Sequence, residues 1–153
     1  MIKNNTFTNC DVAIDIGFEA SYTAVINRNI EITNNILSCS SSAGAIAFST
    51  SLDEYLDYNE TVLIEENTID GGYYGISQSF EVSYEDSDLE RNWSILNNTI
   101  EGSGSSVSAA IYLYNDYSDD SRGECNYSLL VDGNTLRNRG GGLYVYHEIE
   151  SSA

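Results

Sequence analysis

Five times along the chain an aliphatic residue is followed, three positions later, by an asparagine and then by a second apolar residue. The copies are Ile2-Lys-Asn-Asn5-Thr-Phe7, Ile32-Thr-Asn-Asn35-Ile-Leu37, Ile64-Glu-Glu-Asn67-Thr-Ile69, Ile95-Leu-Asn-Asn98-Thr-Ile100 and Val131-Asp-Gly-Asn134-Thr-Leu136. The register asparagines lie 30, 32, 31 and 36 residues apart. A period near 32 is the mark of a solenoid, in which no single repeat can bury its own apolar face. A second element keeps step with the first. It runs through Ile14, Ile46, Ile76, Ile111 and Leu143, alternating apolar with small or polar residues. That two-residue period belongs to a strand with one buried face.

No stretch carries helical i, i+3, i+4 spacing through the Gly, Asn and Ser content, and the 153 residues include no proline. The expected fold is therefore all-β: one domain over 1–153, a right-handed parallel β-helix of about five coils with three short strands each. One strand ends before the asparagine, one follows it, and the alternating segment is the third. Asn5, Asn35, Asn67, Asn98 and Asn134 are expected at the corners, because asparagine tolerates positive φ. Stacked about 4.8 Å apart, their amides should bond along the solenoid as a ladder.

The repeat resembles the right-handed parallel β-helices of the pectate-lyase-like superfold, and in particular short NosD-type I-x-x-N-x-I … G-I-x-L repeats. The resemblance runs from Ile2 to about Tyr146. It implies the fold, and it implies that the outer face of the third strand and its flanking loops form a polysaccharide cleft. The fold hosts many activities, so function must be argued from the site.

The segments 17–24, 49–60, 79–92 and 115–126 vary between coils and read as loops. They hold most of the acidic residues behind a net charge of −18. Such a surface excludes nucleic acid, which needs a basic face. No apolar run approaches the roughly 20 residues of a membrane span. Stacked, these loops make an acidic stripe. Its sharpest part is Asp116-Tyr-Ser-Asp119-Asp120, a candidate Ca²⁺ site since hard cations take clustered carboxylates. It lacks the glycine and terminal glutamate of an EF-hand loop, and diffuse counter-ion attraction is the preferred reading of the charge. No other cofactor is implied.

With Ile111 and Leu143 pointing inward, Tyr112, Tyr114, Tyr144 and Tyr146 face outward on the last two coils. They are candidate carbohydrate-binding residues, because tyrosine offers an apolar ring and a hydroxyl. An aromatic ladder that only stabilises the sheet is the competing reading. A catalytic carboxylate pair is not evident: on the outward face of the alternating segments only Asp15 qualifies, and the signatures of β-helix polygalacturonases are missing. Arg91 and Arg122 read as ion-paired with loop carboxylates, and His147 as a surface residue. No catalytic residue is assigned.

Cys10 and Cys39 follow their asparagines by five and four residues. Neighbouring coils bring them close but one register apart, so they are a candidate disulfide whose side chains point apart. Cys125 is expected as a buried small apolar residue. Among the Asn-x-Ser/Thr triplets, Asn59 and Asn92 fall in loops and are the candidate glycosylation sites. Both ends open in mid-pattern without a capping helix, as in a segment of a longer solenoid or a subunit that stacks on copies of itself. The expected function is a non-catalytic extracellular or cell-surface module, within a longer precursor, that acts as scaffold or binds polysaccharide. The alternatives are a fragment of a polysaccharide lyase or glycoside hydrolase, and a head-to-tail filament subunit.

Overall fold

In the computed structural model each repeat contributes one strand to each of three parallel sheets. The structure describes residues 1–21, 24–40, 44–53, 56–83, 88–102, 109–117, 124–137 and 140–149. The first sheet holds β1 (Ile2–Lys3), β4 (Ala24–Thr33), β7 (Leu56–Glu65), β10 (Asp88–Leu96) and β13 (Cys125–Asp132). The second holds β2 (Thr6–Cys10), β5 (Ile36–Cys39), β8 (Thr68–Gly71), β11 (Thr99–Glu101) and β14 (Thr135–Arg137). The third holds β3 (Ile14–Ala20), β6 (Gly44–Leu52), β9 (Tyr74–Val82), β12 (Ala109–Tyr117) and β15 (Gly141–Ile149). Every pairing joins equivalent strands of consecutive repeats in parallel, which makes the chain a parallel β-helix of about four turns.

The aliphatic repeat positions become columns. Ile2, Ile32, Ile64, Ile95 and Val131 stack along the first sheet. Phe7, Leu37, Ile69, Ile100 and Leu136 stack along the second. Ile14, Ile46, Ile76, Ile111 and Leu143 stack along the third. The middle coils are fully sealed, with Ile32, Ile64, Ile95, Leu37, Ile69, Ile100, Ile46, Ile76 and Ile111 all at 0% exposure. Each such side chain stabilises the fold by about 1.5–3 kcal/mol.

The corner works differently from the sequence expectation. Positive φ falls on the residue before each register asparagine: Asn4 at 59°, Asn34 at 56°, Glu66 at 55°, Asn97 at 54° and Gly133 at 65°. The register asparagine instead builds the ladder. The Asn5 backbone N–H and side-chain Nδ2 donate to Asn35 Oδ1 at 2.9 and 3.1 Å. Asn35 does the same to Asn67 at 2.9 and 3.0 Å, Asn67 to Asn98 at 2.9 and 3.0 Å, and Asn98 to Asn134 at 2.9 and 2.9 Å. From Asn35 onward each amide also donates to a carbonyl of the preceding coil, as Asn67 Nδ2 does to Ile32 O at 2.8 Å. Asparagine is required here because it combines acceptor and donors on one short, planar group.

The described parts of the variable segments are mostly strand rather than the loops the sequence suggests. Strands of the first and third sheets run on for eight to ten residues in coils two to five, and take in Asp57, Glu60, Glu81, Asp88, Glu90 and Asp116. Their extensions close over a second apolar core of Leu52, Tyr58, Phe80, Val82, Leu89 and Tyr117, separate from the main one. Asp57, Glu81, Asp88, Glu90 and Asp116 alternate outward along these extensions, while Tyr58, Phe80, Val82, Leu89 and Tyr117 point in. The charge masked the two-residue period.

Candidate functional site

The tyrosine face is present in the expected register. Tyr112 pairs with Tyr144 and Tyr114 with Tyr146 on adjacent strands β12 and β15. The Tyr112 and Tyr144 rings stack at 5.1 Å and 2°, those of Tyr114 and Tyr146 at 5.3 Å and 2°. Tyr74, which the repeat pattern does not flag, adds a third ring below Tyr112 at 4.7 Å and 24°. The faces of these rings are therefore turned toward one another along the solenoid axis. What they present sideways to solvent is edge and hydroxyl. Tyr144 and Tyr146, at 47% and 37% exposure, keep a ring face open only toward the C-terminal end of the stack.

Carboxylates line the same face, because β12 and β15 extend past the tyrosines. Glu81, Asp116 and Glu148 form one column. The Tyr114 hydroxyl donates toward Asp116 Oδ2 at 3.2 Å and lies 3.4 Å from Glu148 Oε2. The Tyr146 hydroxyl lies 3.4 Å from the same Glu148 oxygen. Partial desolvation, followed by Asp116 and Glu148, pushes the Tyr114 hydroxyl up to about 12. Glu148, followed by desolvation, raises that of Tyr146. Asp15 thus has acidic company on this face that the shorter sequence-level strands hid.

Asp119, Asp120 and Arg122 lie outside the described residues. Among the described residues no three His, Cys, Asp or Glu side chains converge as a metal site. On the first sheet Asp57 and Asp88 are neighbours, and Glu90 and Glu124 border the same shallow groove of about 330 Å³. Asn59 and Asn92 sit on strands β7 and β10 rather than in loops, with Asn59 half-buried and Asn92 exposed. Cys125 occupies an inward position above Leu89 but is exposed, with no described strand stacked beyond its own. His147 is exposed for the same reason, with its ring 5.4 Å from Tyr127 and 6.4 Å from Tyr117.

Between the two apolar cores lies a polar layer that sequence reasoning missed. Arg28, Glu60, Arg91 and Tyr127 form one inward column of the first sheet. Glu60 Oε2 accepts from Arg91 Nε at 3.1 Å and Trp93 Nε1 at 2.9 Å. Its Oε1 accepts from the Tyr58 hydroxyl at 2.8 Å and lies 3.4 Å from Arg28 Nη1. Arg91 Nη1 donates to Asn115 Oδ1 at 2.7 Å, and its guanidinium lies 3.6 Å over the Phe80 ring. Glu60 and Arg91 are 2% and 1% exposed. The signal was the alternation Tyr58-Asn-Glu60 and Leu89-Glu-Arg91, which puts a charge at an inward position.

Among the described residues the asparagine ladder, the tyrosine stacks and the buried Arg28–Glu60–Arg91 column each join one coil to the next. Comparison with family models, with curated proteins and with solved structures returned no match to this chain.

Proposed function

We propose that this chain is a non-catalytic structural module of an extracellular or cell-surface protein, built to hold a rigid acidic rod and to take further coils at its ends. The observation that carries this reading is the direction of the tyrosine rings: Tyr112 and Tyr144 spend their faces on each other, 2° from parallel. A face evolved to grip sugar would leave ring planes open to it. The acidic exterior suits solubility in ionic surroundings.

The end faces complement each other, which supports head-to-tail addition of a second copy. At one end Asn5 Oδ1 heads the ladder as an acceptor, and at the other the Asn134 backbone N–H follows it as a donor. Extending the columns by one coil sets Leu143 over Ile14, Leu136 over Phe7, and Asp132 over Lys3, the one lysine of the sequence. Glu148 would meet Glu19 at the same junction, and two rods of charge −18 repel, so association should strengthen with salt. Sedimentation of the 153-residue chain across salt and concentration tests this. Lys3→Glu and Asp132→Lys should each weaken self-association, and the double swap should restore it. A monomer at every concentration and salt would sink the stacking reading.

A second reading, carbohydrate binding or hydrolysis on the tyrosine face, draws on the resemblance to pectate-lyase-like β-helices and on Tyr114 bridging Asp116 and Glu148. Two carboxylates on one sugar-facing surface are what glycoside hydrolysis uses. A glycan array with a Tyr112→Ala/Tyr144→Ala pair tests binding. Reducing-sugar release, lost in Asp116→Asn and Glu148→Gln, tests hydrolysis.

A further inference from the structure

The second sheet carries an irregularity at its first strand, and the irregularity changes what two cysteines can do. Thr6, Phe7 and Thr8 pair in order with Ile36, Leu37 and Ser38, but the next pair is Cys10 with Cys39. Asn9 is the extra residue, held at φ 57° in the left-handed region that asparagine tolerates. By simple counting from the asparagines the two cysteines fall one step apart and on opposite faces. The bulge removes that offset. Both side chains now belong to the main apolar core, Cys39 at 7% exposure and Cys10 half-buried beside it. The strands stay joined beyond them, with Ser40 N–H donating to Cys10 O at 3.1 Å. Above Cys39 in the same column is Gly71, which offers no side chain to compete for the space.

Adjacent strands in a sheet run about 4.8 Å apart, within the Cα separation that a disulfide spans. We propose that Cys10 and Cys39 are a redox pair that closes to a disulfide in the folded chain and staples the first coil to the second. A small disulfide such as oxidised glutathione serves as oxidant. The half-buried Cys10 thiolate attacks one glutathione sulfur, forming a mixed disulfide and expelling one glutathione thiolate. The Cys39 thiolate then attacks Cys10 Sγ, forming the protein disulfide and expelling the second. Two electrons pass to the oxidant, and the two thiol protons end on the two reduced glutathiones. Burial, with Cys10 beside it, raises the Cys39 thiol. A raised thiol is less often thiolate, so the second step quickens as pH rises. The bond joins the first coil, whose Phe7 is half-buried, to the second, whose Leu37 is fully buried.

This inference is independent of the scaffold and sugar readings. Its test is oxidation of the native chain by oxidised glutathione, read by intact mass, thiol titration and peptide mapping after tryptic cleavage at Arg28. The expected result is loss of two hydrogens, a fall from three titratable thiols to one, and a Cys10 peptide joined to the Cys39 peptide. The Cys125→Ser chain should lose the same two hydrogens and keep no free thiol. In both, the oxidised form should melt at higher temperature than the reduced form, with the gain reversed by dithiothreitol. A persistent glutathione adduct on Cys10 in the native chain, a bridge to Cys125, or a Cys10–Cys39 bridge formed only in denaturant would each overturn the proposal.

Discussion

The Glu60 carboxylate and the Arg91 guanidinium meet at 3.1 Å inside the solenoid, each side chain 1% exposed. Two charges so placed have given up their hydration, and the surrounding bonds from Trp93, Tyr58 and Asn115 compensate for it. Removing the acid strands two arginines. Glu60→Ala should lower unfolding free energy by about 3–5 kcal/mol, measured by urea titration. Glu60→Gln keeps the shape but loses the charge and turns one acceptor oxygen into an N–H donor, so it too should destabilise, with the donors facing that atom left unpaired. If either variant unfolds like the parent, the layer is solvated and this account of it is wrong.

The asparagine ladder should weaken most when cut in its middle. Asn67→Ala leaves the Asn35 N–H and side-chain amide without their shared acceptor, and takes the Asn67 amide donor from Ile32 O and Asn98 Oδ1. Each orphaned buried group costs about 1–3 kcal/mol. Asn5 has a ladder neighbour on one side and is exposed, so Asn5→Ala should cost markedly less. Denaturant midpoints of the two variants, compared side by side, decide the order.

Glu66 is the one corner residue in the left-handed region that is neither asparagine nor glycine. A side chain of that kind is strained there by about 1–2 kcal/mol, and asparagine less so. Glu66→Asn should therefore raise the thermal midpoint, by an amount corresponding to roughly 0.5–1 kcal/mol. It also removes one charge from a strongly acidic rod, so Glu66→Gln serves as the control that relieves charge but not strain.

Alkaline stability should follow the buried tyrosines. Burial pushes the Tyr127 hydroxyl up to about 12, opposed by Arg91, and burial with Glu60 raises Tyr58 further. An unfolded tyrosine ionises near 10. A group raised on folding contributes its full stability below the unfolded value and loses it as pH climbs through the folded one. Stability should thus decline between about pH 10 and 12, with part of the tyrosinate absorbance appearing only as the chain unfolds. Tyr127→Phe should flatten that decline. It should cost nothing at neutral pH, because the Tyr127 hydroxyl is buried without a hydrogen-bond partner.

The sequence made the first core plain and hid the second. Ile64, Ile69 and Ile76 announce themselves because they recur at fixed distances from Asn67, and stacking demands that they recur. Tyr58, Phe80 and Leu89 do not repeat as a residue type, since the second core packs unlike side chains against one another. Arg91 and Glu60 were legible as charges but not as interior ones. Only the strand extensions, seen in register, show that both fall on the inward parity. The register asparagines form the ladder but do not take the bend, a one-residue distinction that φ resolves and composition does not. Cys10 and Cys39 depended on a single bulge at Asn9, and no spacing argument can supply a residue that drops out of the pairing.

The inward column Arg28, Glu60, Arg91 gives the coils an arithmetic of their own. By asparagines alone any repeat could be deleted or duplicated, since each ladder rung is the same as the next. By this column they are not interchangeable. Excising the third coil would set Arg28 directly against Arg91 with no acid between them, and duplicating it would stack Glu60 on its own copy. The solenoid can gain or lose length freely only beyond this column or in multiples that keep sign facing opposite sign, so its middle is a fixed sentence and its ends are where it can be edited.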